Sequence, residues 1–176
     1  MGLSRSIQKF YVQFMMDVIG RGLVVASQVD QEIQKELKAF PKDFSISMQI
    51  FGDATAFYIK VNKKQQFDLI QEKPHHLDLT ITFKHLQHAF SVFSFQESTA
   101  QAFAHNRMIA DGDLSHAIRL VRCLNRMETL ILPKYLAKLA VKEYPTHLTF
   151  KSKIKKAQQI YLKLALSFLK GKQSHD

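Results

Sequence analysis

The hydrophobic period along the chain switches between helical and extended several times, and the switches mark the elements. Ile7, Phe10, Tyr11, Phe14, Met15, Val18 and Ile19 fall three and four apart, which predicts a helix with an apolar side. Gly20 and Gly22 are expected to end or bend it. A second helix is predicted over about 28–40, with Val29, Ile33 and Leu37 as apolar positions and Pro41 as its stop. The period then drops to two. Phe44, Ile46, Met48 and Ile50 alternate with Ser45, Ser47 and Gln49, and a Gly52-Asp53 turn follows. Phe57, Ile59 and Val61 then alternate with Tyr58 and Lys60, Phe67 and Leu69 form a third run, and Leu77, Leu79, Ile81 and Phe83 a fourth. Short connections predict an antiparallel meander for the first three strands.

Helical spacing returns at Leu86, Ala89, Phe90 and Phe93, and a short helix is expected to carry Ala100 and Phe103. An extended stretch at 107–111 closes with Gly112. Asp113 is placed to cap the next helix, because its carboxylate can accept a first-turn N–H. That helix presents Leu114, Ala117, Ile118, Val121 and Leu124. Pro133 interrupts it, and two more helices are predicted over about 134–142 and 149–169. Helices, a sheet, helices, one strand and helices again make the fold class α+β.

Composition agrees with one folded domain carrying helical additions. Of 176 residues, 46% are hydrophobic and 23% charged, with 6 Gly and 4 Pro, so disorder and low-complexity architectures are excluded. Cys123 stands alone, which rules out an intrachain disulfide and fits a reducing compartment. No stretch reaches the roughly 20 apolar residues of a membrane span; the best, 10–29, is broken by Asp17 and Arg21. The start lacks a secretory pattern, so the expected location is cytoplasmic, with a peripheral position on the inner membrane face open to it.

Charge changes the picture at one end. The chain carries 25 Lys and Arg against 15 Asp and Glu, a net +10, and from Lys134 onward 10 Lys face only Glu143 and Asp176. A basic head of Lys151, Lys153, Lys155 and Lys156 precedes an apolar run containing Ile160, Leu162, Leu164, Leu166 and Phe168, interrupted by Lys163 and Lys170. This is the pattern of a helix that docks reversibly on an anionic membrane surface. The same helix would equally cover the sheet, meet a protein partner or pair in a homodimer. Nucleic acid is disfavoured, because the aromatic residues lie inside the apolar run and are not interleaved with the lysines as stacking positions.

Catalytic chemistry is not assembled. There is no Gly-rich phosphate loop, no nucleophile elbow and no zinc-protease helix. His85 and His88 could share a helix face but have no carboxylate or thiol at ligand spacing, so no metal and no cofactor are expected. Asp111 and Asp113 are explained by turn and cap roles, and Cys123 as an inert buried thiol. The unusual material is apolar: 14 Phe, 6 Met and no Trp, with Phe90, Phe93, Phe95 and Phe103 close together. Periodicity does not separate a filled core from an apolar cavity.

Three features together resemble the sterol carrier protein 2 (SCP2) family. They are the Leu77-Asp78-Leu79-Thr80-Ile81-Thr82-Phe83 strand running into a helix at Lys84-His85-Leu86, the Arg107-Met108-Ile109-Ala110-Asp111-Gly112-Asp113-Leu114 strand and turn, and the helix that follows, with Ala117 and Leu120 at small and apolar positions. The resemblance covers about half the chain. It implies a five-stranded mixed sheet backed by helices around an apolar tunnel that binds and carries lipid without catalysis. By position, Phe57, Ile59, Leu79 and Ile81 would line the strand side, and Phe90, Phe93, Phe103, Met108, Ile118 and Val121 the helical side. The flanking helices look like those of the bacterial SCP2-domain accessory factor of ubiquinone biosynthesis. That likeness implies an isoprenoid quinone precursor as ligand, beside fatty acyl chains and phospholipids, or an adaptor role in a biosynthetic complex. The expected division is N-terminal helices at 1–43, a lipid-binding core at 44–132 and a basic helical extension at 133–176.

Overall fold

The alternating runs become a single sheet of five strands. A computed structural model describes residues 4–131 together with 159, 160, 162, 163 and 166. The strands are β1 (Ser45–Ile50), β2 (Ala56–Val61), β3 (Phe67–Ile70), β4 (Leu79–Phe83) and β5 (Met108–Gly112). Their order is β3-β2-β1-β4-β5. The first three form the expected antiparallel meander, β4 lies parallel to β1, and β5 returns antiparallel to β4. The sheet is therefore mixed.

Register decides which side chains meet. Met48 lies opposite Phe57 on one side and Ile81 on the other, and Ile81 lies opposite Ala110. One face is thus apolar from edge to edge and buried at Ile46, Met48, Ile59, Ile81 and Phe83. The other face carries short polar side chains that bond across the parallel pair. Ser47 Oγ and Thr80 Oγ1 are 3.2 Å apart, and Gln49 Nε2 donates to Thr82 Oγ1 at 3.2 Å.

Five helices accompany the sheet: α1 (Arg5–Val29), α2 (Gln31–Leu37), α3 (Leu86–Phe93), α4 (Thr99–Ala104) and α5 (Leu114–Ile131). Helix α1 packs on β2, β3 and α3, while α5 packs chiefly on α2 and reaches α1, β4 and β5. Contrary to expectation, α1 runs through Gly20 and Gly22 without a break. Both glycines are sites of close approach. A Cβ on Gly20 would stand 3.2 Å from Phe57 Cγ, and one on Gly22 would stand 2.7 Å from Met127 Sδ. The buried side of α1 is Val12, Met16, Ile19, Leu23 and Ala26, whereas Ile7, Phe10 and Phe14 are exposed. By length and composition α1 is able to cross a membrane, but half of its most apolar stretch is buried against the rest of the chain.

The second helix starts later than its periodicity suggested. Asp30 is extended, and its Oδ1 accepts the N–H groups of Glu32 at 3.0 Å and Ile33 at 3.2 Å, so it separates α1 from α2 and caps the latter. The helix expected over 134–142 lies outside the described residues, as does most of the one expected over 149–169. The described positions there are helical. Ile160 is fully buried with the core, and Leu162 and Leu166 are exposed.

Candidate functional site

The apolar face of the sheet gathers most of the lining expected from the sequence into one layer. Phe57 and Ile59 enter from β2, Leu79 and Ile81 from β4, and Met108 from β5, all buried. Phe90 and Phe93 descend from α3, and Phe103 on α4 packs half-buried against the same cluster. The Phe93 ring meets Phe83 edge-on at 5.3 Å, and Phe90 meets Tyr11 at 5.5 Å. The Tyr11 hydroxyl donates to the Phe93 carbonyl at 2.9 Å, and burial raises its pKa. Helix α1 is thereby tied to the end of α3.

Helix α5 contributes differently from expectation. Its buried side is Ala117, Leu120, Leu124 and Met127. Val121 is half-buried, and Ile118 is 46% exposed, so neither sits in the layer with the other eight. Each residue turns an α-helix by about 100°, and that rotation carries Ile118 away from Ala117 to the outer border of the contact.

The turn between β5 and α5 is fixed by sterics and by a cap. Gly112 has φ +130°, and a Cβ there would come within 2.5 Å of the Asp78 carbonyl oxygen. Asp113 caps α5 as predicted, accepting from the N–H groups of Ser115 at 2.7 Å and His116 at 3.3 Å. The Ser115 hydroxyl and these N–H groups hold its carboxyl below the usual range. Asp78 pins the start of β4 to β1. Burial works to raise its pKa, but the N–H and hydroxyl of Ser45, at 2.7 and 2.8 Å, keep it low.

Two ionisable groups of α5 are shifted by desolvation, the buried Cys123 and the half-buried Glu128. Burial pushes the Cys123 thiol up to about 12, with Glu36 and Asp30 adding to the shift, which makes it inert as expected. Burial also pushes Glu128 up to about 8, and its Oε2 is sealed from solvent with no hydrogen-bond partner among the described residues. Periodicity alone does not single out Glu128. The available signal was its position four residues after Leu124 and seven after Val121, on a stripe of otherwise apolar character.

His85 and His88 rings meet edge-on at 5.0 Å, and burial followed by the nearness of His85 lowers the His88 pKa. Among the described residues no three metal-ligating side chains come together. Two surface clefts flank the sheet. One, of about 660 Å³, is lined by Arg5, Lys9, Phe51, Asp53 and Lys84; the other, of about 740 Å³, by Phe44, Lys60, Glu72, His76 and Asp78. Neither includes any of the ten expected lining residues. Of the basic residues singled out for docking, Lys163 is exposed, with Nζ donating to Gln28 Oε1 at 3.3 Å. Lys151, Lys153, Lys155 and Lys156 lie outside the described residues.

No family model matches the chain, and no curated protein matches it. Among solved structures it is similar to a ubiquinone synthesis protein, UbiJ-SCP2, at 14% identity over 68% of this chain and 97% of that one, with TM-score 0.45. It is also similar to sterol carrier protein 2 of Yarrowia lipolytica, at 16% identity over 64% of this chain and 88% of that one, with TM-score 0.42. A third, palmitated SCP2-like 2 of Aedes aegypti, shares 17% identity over 57% of this chain and 94% of that one, with TM-score 0.35. These three solved structures are all of SCP2 proteins.

Proposed function

We propose that the chain binds and carries a hydrophobic lipid without catalysing its conversion, and that it docks transiently on membranes through its basic C-terminal segment. The observation that carries this reading is the apolar layer between β2, β4, β5 and α3, bordered along α5 by side chains that remain open to solvent at Leu114 and Ile118. Burial is a sufficient driving force. Each methylene removed from water contributes about 0.8 kcal/mol, so a chain of about ten would be held without a charged contact. Native mass spectrometry of the purified chain, followed by organic extraction, tests the reading. A stoichiometric co-purifying lipid is expected, and Ile118→Glu, which alters an exposed position, should reduce its occupancy while the protein stays folded. A mass equal to the bare chain, unchanged after incubation with fatty acids, phospholipids and quinones, would sink the carrier reading. Replacing Lys151, Lys153, Lys155 and Lys156 by Gln should weaken pelleting with anionic vesicles and leave lipid occupancy unchanged.

A second reading rests on α1, where Ile7, Phe10 and Phe14 form an exposed apolar stripe. An adaptor that assembles with a biosynthetic complex, such as one making ubiquinone, would use such a stripe on a protein partner. Phe10→Glu would then abolish partner recovery with lipid retained. In a pure carrier it would change neither.

A further inference from the structure

Leu114, Ile118, Val121, Asn125 and Glu128 follow one another at steps of four, three, four and three residues, which places them on one side of α5. Exposure falls along the first turns of this stripe: Leu114 is 69% exposed and Ile118 46%, while Val121, Asn125 and Glu128 are half-buried. The stripe thus leads from open apolar surface to Glu128, whose Oε2 is closed off from solvent.

Among the described residues Glu128 Oε2 has no hydrogen-bond partner. The arginines of α5 are engaged with acids of α2 and its cap: Arg119 and Arg122 reach Glu36 at 2.8 and 3.5 Å, and Arg126 reaches Asp30 at 3.0 Å. Folded proteins pair nearly every buried polar atom, so an unpaired one calls for a partner from outside the chain, a water or a ligand, to complete the bonding. Burial alone raises the Glu128 pKa to about 8, which keeps it a neutral acid able both to donate and to accept.

We propose that Glu128 is the polar anchor of the lipid site, hydrogen-bonding an uncharged oxygen at the head of a ligand whose chain lies along Val121 and Ile118. This deepens the carrier reading and rests on it. The ligand class is an alcohol, phenol, ketone or ester. A phosphate or carboxylate head is disfavoured, since burying an anionic head beside a carboxyl costs its desolvation.

The test uses the delipidated full chain and a matched pair of probes, 1-dodecanol and dodecane, each displacing the fluorophore N-phenyl-1-naphthylamine at pH 6.5. Wild type should bind the alcohol about tenfold more tightly than the alkane, the effect of one added hydrogen bond. Glu128→Leu should erase that preference and keep the alkane affinity. Glu128→Gln, which still donates and accepts, should retain most of it. Should the Leu variant not fold, Glu128→Met gives the same readout with a more adaptable side chain. Equal affinity for both probes in wild type, or an unchanged preference in the apolar variant, overturns the assignment and leaves the carrier reading standing. Displacement by neither probe overturns the carrier reading, and this inference with it.

Discussion

Arg126 grips the buried carboxylate of Asp30 with two nitrogens, Nε 3.1 Å from Oδ1 and Nη2 3.0 Å from Oδ2. The same Oδ1 caps α2, so one carboxylate joins the end of α1, the start of α2 and the second half of α5. Asp30 is fully buried and the Arg126 side chain 13% exposed, so the pair is shielded from solvent screening. Removing one partner of such a pair takes its strongest electrostatic contact from a buried charge, which costs about 3–5 kcal/mol. Arg126→Met should therefore lower the urea midpoint by that equivalent at constant m. Asp30→Asn, which keeps a capping oxygen, should be the milder of the two. Equal and small effects would mean that the grip contributes only as a surface contact does.

Gly112 provides a second, purely steric test. Its φ of +130° is one that side chains rarely adopt, and the Asp78 carbonyl oxygen stands where a Cβ would go. Backbone does not yield as a flexible side chain does. Gly112→Ala should destabilise the chain by at least about 1–3 kcal/mol and separate β5 from the start of β4. Gly52→Ala is the control. Gly52 has φ +70° but nothing within 4 Å of its Cβ position, so it carries the conformational penalty alone, about 1–2 kcal/mol. Denaturation curves of the two variants should differ in that order; the reverse would remove the close approach as the reason for Gly112.

Those two glycines were legible in the sequence because turns demand them, whereas Gly20 and Gly22 were not. A helical glycine that admits a neighbouring side chain looks, from sequence, like one that ends the helix. The partners that distinguish them, Phe57 and Met127, are 37 and 105 residues away. The strands were legible because alternation is a local property: Ile46, Met48 and Ile50 share a face whatever their neighbours do. The buried side of helix α1 was not, because the helix is apolar on more than one side. Val12, Met16, Ile19 and Leu23 repeat three and four apart as regularly as Ile7, Phe10 and Phe14, and only packing selects between them. Glu128 escaped for a related reason. An acid on a helix reads as a solvent-facing residue until something covers it, and the burial that raises its pKa is a tertiary effect.

Glu128 should also make stability depend on pH. Its folded pKa of about 8 lies above the ordinary 4.5, so between those values the folded chain holds a proton that the unfolded chain has released. Stability attributable to this group is therefore complete below about pH 4.5, falls as pH rises toward 8, and levels off beyond it. His88 acts in the opposite sense, because burial lowers its pKa from 6.5. Subtracting the profile of Glu128→Gln from that of wild type cancels the histidine and isolates the carboxyl. Urea midpoints measured from pH 5 to 8.5 should show the wild type losing ground to the variant steadily. Parallel profiles would mean that the carboxyl is solvated or paired in solution.

The two sides of α1 make the last prediction. Phe10 is 72% exposed and Phe14 53%, while Met16 and Leu23 on the opposite side are at 2% and 0%. Hydrophobicity alone ranks the phenylalanines as the core residues of this helix. Packing ranks them the other way, and the two rankings give opposite outcomes. Phe10→Glu and Phe14→Glu should leave the denaturation midpoint within about 0.5 kcal/mol of wild type, as surface substitutions do. Leu23→Ala should cost about 2–5 kcal/mol, since it empties a fully enclosed site. Because an exposed apolar stripe favours association, the glutamate variants should also be more soluble and bind fewer partners or vesicles. Unfolding of Phe10→Glu would show that the stripe is covered in solution, and the surface on which the adaptor reading depends would not exist.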